Sequence, residues 1–287
     1  MRPGRAYHRR ANPAHAGGHR LTSRADVALV ARGLAPSRER AQALILAGRV
    51  YVDERKILKA SESVMPDDNL LVRGEEQSWA SRGAHKLEKA LDAFGADVTG
   101  LVAMDIGAAA GGFTDVLLRA GASYVYAIDV GYGQLDWRLR QDPRVSVMER
   151  TNARALTRDM FDPLPALTVM DVSFISIKLI IPPAIEVMGE KGRFLTLIKP
   201  QFEAGRSQVG KHGVVREAKI HESVLRDIRD FTASLGWIAV GMDYSPITGP
   251  KGNIEFLADI QKSAGPGVSD AAIHDLVQRA HSNLRAE

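Results

Sequence analysis

Two lysines and two carboxylates, Lys86, Asp171, Lys199 and Glu255, are the residues of this 287-residue chain that could move a proton together. Lys86 lies early in an amphipathic segment, Asp171 and Lys199 each close an apolar run, and Glu255 belongs to the last apolar run. Strand ends of an open α/β sheet meet at one edge, so all four can converge on a single mouth. In such a cleft opposite charges hold one another ionised, or burial depresses one lysine. A lysine poised near neutrality accepts a proton from an alcohol. The plainer reading is a pair of salt bridges tying the cleft together, and the sequence leaves both open.

A second constellation runs from Asp105 to Asp129. The apolar run Val102–Ile106, the turn Gly107-Ala-Ala-Ala-Gly-Gly112, a helix from Phe113 to Arg119 and the apolar run Tyr124–Ile128 read as one βαβ unit. Small residues in the turn let a ligand approach the backbone. Asp129, about 20 residues further on, can accept hydrogen bonds from ribose hydroxyls. The turn lacks the second glycine of G-x-G-x-x-G, and Asp105 sets a negative charge beside it, which repels a pyrophosphate and suits a cation. The expected cofactor is therefore S-adenosylmethionine, with its positive sulfonium. A dinucleotide is the competing ligand, and an ordinary turn the plain alternative. Asn152, just past the apolar run Val145–Met148, can meet the adenine edge. The expected cofactor set is Asp105, Gly107, Ala108, Gly111, Gly112, Phe113, Asp129, Val130, Asn152 and Asp171.

The elements that must position these residues follow from periodicity. Ser81 opens an amphipathic helix with Leu87, Ala90, Leu91 and Phe94 on its core face; Lys86 and Lys89 lie off that stripe, and Lys89 is expected in solvent. Leu167–Asp171 and Phe194–Lys199 read as further strands, and Arg216–Leu235 as a long amphipathic helix. Trp237–Tyr244 and Asn253–Ala258 are joined by Pro246–Gly252, too short for a parallel crossover, so the last strand must run antiparallel. Ile273, Leu276, Val277 and Ala280 form the packing face of a final helix. The fold class is α/β, a mostly parallel sheet with a terminal antiparallel hairpin.

Composition narrows the setting. Hydrophobic residues make up 45% and charged residues 25%, an ordinary globular balance. The chain has no cysteine, which excludes disulfides and thiolate metal sites and fits a reducing cytoplasm. Ile175–Val187 is the nearest approach to a membrane span of ~20 residues, and Lys178 and Pro182-Pro183 interrupt it. With no signal-like apolar segment at the start, the expectation is a soluble, cytoplasmic, monomeric protein without a metal.

The net charge of +4 divides into +9 over residues 1–60 and −5 over the rest, which points to an anionic polymer as partner. Residues 1–22 read as a disordered basic tail. Residues 23–74 read as a small α+β domain, in which Ser37 caps a helix with Ala41, Leu44 and Ile45 on its apolar face and Asp53-Glu54 turns a hairpin. Arg24, Arg32, Arg38, Arg40 and Arg49 are expected to form one cationic face that grips phosphates. Residues 75–80 form a linker whose Trp79 is expected to pack the domains together, and residues 81–287 form the second domain.

Two resemblances sharpen this. SRERAQALILAGRVYVDERKI resembles an S4 RNA-binding domain, although Glu54 stands where that family usually has a glycine, so a different turn geometry is expected. SRGAHKLEKAL, DIGAAAGGFTD, VMDVSFIS, LIKPQFE and GNIEF resemble, in order and spacing, the motifs of FtsJ-like RNA ribose 2′-O-methyltransferases. From about residue 23 onward the chain is similar to the haemolysin A (TlyA) family of rRNA methyltransferases. That resemblance implies a Rossmann-like class I fold, S-adenosylmethionine as cofactor and ribosomal RNA or ribosomal subunits as partner, with methyl transfer to a ribose, a cytidine in 16S or 23S rRNA. It further implies that Lys86, Asp171, Lys199 and Glu255 are catalytic. Lys199 would assist deprotonation of the 2′-hydroxyl, Asp171 and Glu255 would orient it, and Lys86 would help to place the nucleotide. Ala109 and Ala110 stand where the family commonly has Ser or Thr, which removes side-chain hydrogen bonds but no backbone donor. The alternative is a non-catalytic RNA-binding assembly factor, for which the four charged residues would be superfluous. A membrane-lytic protein would need an amphipathic stretch that the sequence lacks.

Overall fold

A computed structural model describes residues 22–73 and 79–284. The expected tail up to residue 21 and linker residues 75–78 lie outside the described residues. The chain divides into two compact units between Ser78 and Trp79.

The first unit is built from β1 (Ser23–Arg24), α1 (Ala25–Ala31), α2 (Arg38–Leu46), β2 (Val50–Val52), β3 (Arg55–Lys56), β4 (Ser63–Val64) and β5 (Leu70–Val72). An antiparallel sheet of order β3-β2-β5 and a β1-β4 ribbon enclose a core that includes Leu29, Leu44, Ile45, Val50 and Ile57. Ser37 caps α2 by accepting the Arg40 N–H at 3.3 Å, and Ala41, Leu44 and Ile45 are buried at the spacing of one helix face.

The second unit contains α3 (Ala84–Ala93), β6 (Val102–Ile106), α4 (Gly112–Arg119), β7 (Tyr124–Ile128), α5 (Trp137–Arg140), β8 (Val145–Met148), β9 (Leu167–Met170), α6 (Ile181–Met188), β10 (Arg193–Ile198), α7 (Pro200–Glu203), α8 (Ala218–Ser234), β11 (Ile238–Tyr244), β12 (Phe256–Gln261) and α9 (Asp270–Leu284). Its seven strands run β11-β12-β10-β9-β6-β7-β8. The five from β10 to β8 are parallel, while β12 runs antiparallel to both β10 and β11. The sheet has a core on each face, as a parallel sheet requires. Met104, Ile106, Met170 and Phe194 pack with α6, α8 and α9 residues, whereas Ala103, Val125, Val169 and Leu195 pack with those of α3 and α4. Trp79 lies against the latter core, with the Arg119 guanidinium 4.1 Å from its ring.

Lys89 departs from expectation. Its Nζ donates to the Tyr244 carbonyl, pairs with Asp243 at 3.2 Å and lies 3.6 Å from the Tyr244 ring centre. Helix α3 reaches the end of β11, where the Tyr244 carbonyl and the Asp243 carboxylate attract the ammonium, so Lys89 ties helix to sheet. Among the described residues no helix is long and apolar enough to cross a membrane, and no cluster of metal-ligating side chains occurs.

Candidate active site

The four charged residues converge. Lys86 comes from the first turn of α3, Asp171 follows β9, Lys199 follows β10 and Glu255 immediately precedes β12. Because β9 and β12 both flank β10, Asp171 and Glu255 arrive on either side of Lys199. Lys86 Nζ bridges Asp171 Oδ2 at 3.2 Å and Glu255 Oε2 at 2.7 Å, and Lys199 Nζ lies 2.6 Å from Asp171 Oδ1 and 3.0 Å from Ser173 Oγ. Glu255 is fully buried, and both lysines are nearly so. Burial works against the Lys86 charge, but Asp171 and Glu255 outweigh it and hold the ammonium above the ordinary lysine value. Lys86 is thus not a depressed lysine. Burial likewise pushes the Asp171 carboxyl up, and the ammonium groups of Lys86 and Lys199 outweigh it, leaving the carboxyl below its usual range.

Two cavities meet at this cluster. The first, of about 320 Å³, lies beyond the ends of β6, β7 and β9 and is lined by Gly107, Asp129, Val130, Asn152 and Asp171 from the expected cofactor set. Gly107 has φ +87°, and a side chain there would press to 2.8 Å from the Asp171 carbonyl oxygen, so glycine is required where these strand ends meet. Asp129 Oδ2 accepts the Ala109 N–H at 2.9 Å and Oδ1 that of Gly131 at 2.6 Å, which pins the turn to the loop after β7. Ile106, Ile128 and Ile180 give the cavity an apolar floor. A glycine-floored cleft with a carboxylate on one wall and an apolar slot fits a nucleoside carrying a cationic substituent.

Asp105 is not part of that cavity. Strand side chains alternate, so Asp105 points with Ala103 toward α3 and α4 while Ile106 faces the other way. It is fully buried, and its Oδ2 accepts the Thr114 N–H at 2.9 Å and the Thr114 hydroxyl at 2.7 Å. Burial raises its pKa from 3.8 to about 7, against the hydrogen bonds from Thr114. Its role is to anchor the first turn of α4. Gly111, Gly112, Phe113 and Ala108 also lie outside the cavity lining; a side chain on Gly111 would strike Leu135, and one on Gly112 the Ser81–Ala84 segment. Gly111 and Gly112 serve the packing of α4, and Phe113 and Ala108 are buried in the core beside it.

Asp105 makes stability pH-dependent. Its folded pKa exceeds the unfolded one, so its contribution is fully present below about pH 4 and is lost as the pH rises through about 7. The wild-type urea midpoint should fall between pH 5 and 8 by the equivalent of roughly 2–3 kcal/mol. Asp105→Asn, which keeps an acceptor for Thr114 and cannot ionise, should remove that slope.

The second cavity, also about 320 Å³, is lined by Lys199, Glu255, Gln201, Phe202, Lys251 and Asn253, and shares Ser173 and Phe174 with the first. Phe174 is exposed, has φ +65° and holds its ring 5.1 Å from that of Phe202. An aromatic residue in left-handed backbone on a polar loop is unusual and marks a site. Periodicity does not single out Ser173, Phe174, Gln201 or Phe202; their places within VMDVSFIS and LIKPQFE are the available signals. The cluster therefore joins two adjoining clefts.

A family model described as FtsJ-like methyltransferase matches residues 79–262, and an S4 domain model matches residues 23–70. The chain belongs to the FtsJ-like methyltransferase family. The match spans the sheet, both cavities and all four charged residues. TlyA of Mycobacterium tuberculosis, a 16S/23S rRNA (cytidine-2′-O)-methyltransferase, is 43% identical over 261 residues, covering 91% of this chain and 97% of that one. YqxC of Bacillus subtilis is 45% identical, covering 91% of this chain and 95% of its own. A solved structure from Streptococcus thermophilus, 42% identical, covers 93% of this chain and 98% of that one with a TM-score of 0.71.

In this FtsJ-like methyltransferase one glycine guards the cluster directly. A side chain on Gly249 would overlap Glu255 Oε1 and come within 2.9 Å of its Cδ. Glu255 is fully buried and held by Lys86, so it has nowhere to retreat. Gly249→Ala should therefore lower methyl transfer at least tenfold, roughly 1.4 kcal/mol of barrier, while cofactor affinity measured by calorimetry stays within twofold.

The S4 unit divides its arginines by task. Buried Asp26 accepts Arg24 Nε at 3.0 Å, Arg38 at 3.1 Å and Gln42 at 3.0 Å, and the Arg24 hydrogen bond above all holds its carboxyl well below the usual range. Arg24 and Arg38 are thereby fixed side by side, with their guanidinium groups still exposed. Arg32 instead donates to the carbonyls of Met65, Pro66 and Asp68 and binds the loop before β5. Arg40 and Arg49 are exposed. In the hairpin Asp53 takes the left-handed backbone at φ +52°, and Glu54 pairs with Arg73 at 2.8 Å.

Proposed function

We propose that this protein transfers a methyl group from S-adenosylmethionine to a ribose 2′-hydroxyl of ribosomal RNA, at a cytidine, as the name of its Mycobacterium tuberculosis relative states for that enzyme. The observation that carries the reading is one ion-paired cluster lining two adjoining cavities, Asp171 facing the first and Lys199 with Glu255 facing the second. A protein that only bound RNA would have no use for a buried lysine and carboxylates aimed at these cavities.

Asp129 and Asn152 would hold the ribose and adenine of S-adenosylmethionine, against Gly107 and the apolar floor. When bound, that cofactor supplies a sulfonium methyl carbon open to an oxygen nucleophile. Lys199 meets the 2′-hydroxyl; once its own proton has passed to solvent it accepts the hydroxyl proton as an amine, and Asp171 at 2.6 Å stabilises the ammonium that forms again. Lys86 lines neither cavity. Its part is to lock Asp171 and Glu255 in orientation from beneath, a positioning role in place of contact with the nucleotide. Most of the acceleration would come from alignment of the acceptor oxygen, since two fixed clefts hold both reactants. In the S4 unit, Arg24, Arg38, Arg40 and Arg49 would grip phosphates, with Arg32 reserved for the fold.

The test is transfer of tritiated methyl to ribosomal subunits lacking native methylation. Label that protects one dinucleotide from alkaline hydrolysis supports ribose transfer. Label on a base would overturn the acceptor, and cofactor binding without transfer to either subunit would favour an assembly factor.

A further inference from the structure

We propose that a third cavity, beyond the Phe174–Phe202 pair, is a subsite for the nucleotide joined to the 3′ side of the target ribose; this rests on the ribose-methylation reading. The cavity, of about 740 Å³, is wider than either of the others and continuous with the acceptor cleft, sharing Phe174, Gln201, Phe202 and Gly213 with it. Its lining contains two arginines, Arg154 and Arg206, and no acidic residue. Both arginines are exposed. Neither guanidinium makes a hydrogen bond or ion pair among the described residues. Elsewhere in this unit Arg138, Arg140 and Arg144 are each paired with a carboxylate. Guanidinium groups left without an anion, on the walls of a cavity with an aromatic ring, match a phosphate and a stacked base.

The covalent structure of RNA selects the 3′ neighbour. The 3′-oxygen sits on the carbon next to the one bearing the reacting hydroxyl, so a 2′-hydroxyl seated at Lys199 brings its 3′-phosphate into the same mouth. The walls are also firm. Glu203 of α7 accepts the Ser176 hydroxyl at 2.5 Å and the Ile177 N–H at 2.9 Å, which couples the segment carrying Phe202 to the loop carrying Phe174. Phe202 and Arg206 line the third cavity and not the cofactor cavity. Their loss should therefore be felt by RNA alone.

The experiment compares wild type with Phe202→Ala, Phe202→Tyr and Arg206→Ala on ribosomal subunits, with cofactor affinity as the check on folding. Phe202→Ala should lower kcat/KM on the order of tenfold to a hundredfold, and Phe202→Tyr should restore it to about threefold of wild type. Arg206→Ala should raise KM and reduce the salt slope by about one. Cofactor affinity should not move in any variant. With p-azidophenylalanine at position 202, the photo-crosslink should map to the nucleotide 3′ of the methylated one. Wild-type transfer with unchanged kinetics in Phe202→Ala overturns the subsite alone, and a crosslink to the 5′ neighbour or to a distant site does the same. Failure of the wild type to methylate a ribose overturns the underlying reading and this inference with it.

Discussion

Replacing Lys199 by alanine is expected to lower methyl transfer by about two to four orders of magnitude while cofactor affinity stays within twofold. Lys199 lines the second cavity and not the first, so its loss would remove the proposed proton acceptor without touching the proposed cofactor site. The fold should survive, because Asp171 keeps Lys86 at 3.2 Å as a counter-ion. Lys199→Arg separates the two things an ammonium could do there. Arginine keeps the positive charge beside Asp171 but does not give up its proton in a protein. If Lys199 accepts a proton, Lys199→Arg should be about as inactive as Lys199→Ala. If it supplies only charge, arginine should recover most of the rate. Single-turnover transfer to subunits measures both, and a Lys199→Ala rate within tenfold of wild type would remove this lysine from the mechanism.

The charged cluster was legible in the sequence because strand ends are. Asp171 and Lys199 follow apolar runs whose parallel pairing can be deduced, and Glu255 lies just before a strand that the short Pro246–Gly252 connection forces antiparallel. Lys86 was found as an off-stripe lysine on an amphipathic helix, and the same rule failed for Lys89 three residues later. Periodicity says which side of a helix avoids the core, but not whether another strand end waits there, as Asp243 and Tyr244 do.

Asp105 shows a different failure. Its position near a strand end suggested a ligand-facing charge, although strict alternation from Ala103 already sends it toward the helices. Asp129, by contrast, lies just past its strand, free of that alternation, and reaches the cavity. Composition makes every glycine of the turn a candidate ligand contact, yet among them only Gly107 borders the first cavity, and Gly111 and Gly112 answer to Leu135 and to the start of α3. The walls of the acceptor and third cavities come from loops, whose paths no hydropathy period encodes. Phe174 and Phe202 meet across 27 intervening residues because Glu203 draws their segments together, a contact between side chains that a single sequence does not reveal.

Lys86→Met should destabilise the methyltransferase unit by about 3–5 kcal/mol, the usual consequence of breaking a buried ion pair from one side. Methionine fills the space but leaves Glu255, fully buried, with only the Gln201 amide at 3.5 Å beside its Oε1. Asp171 suffers less, since Lys199 still faces it. The stability deficit should shrink in Lys86→Met combined with Glu255→Gln, because the stranded charge has gone; the two substitutions should be strongly non-additive. Activity should not follow stability. The double variant has no cation joining Asp171 to the β12 side of the cleft, so transfer should stay at least a hundredfold below wild type even where the urea midpoint has recovered. A double variant that regained both would make Lys86 a purely structural residue, and one that regained neither would mean that Glu255 was never the group Lys86 neutralises.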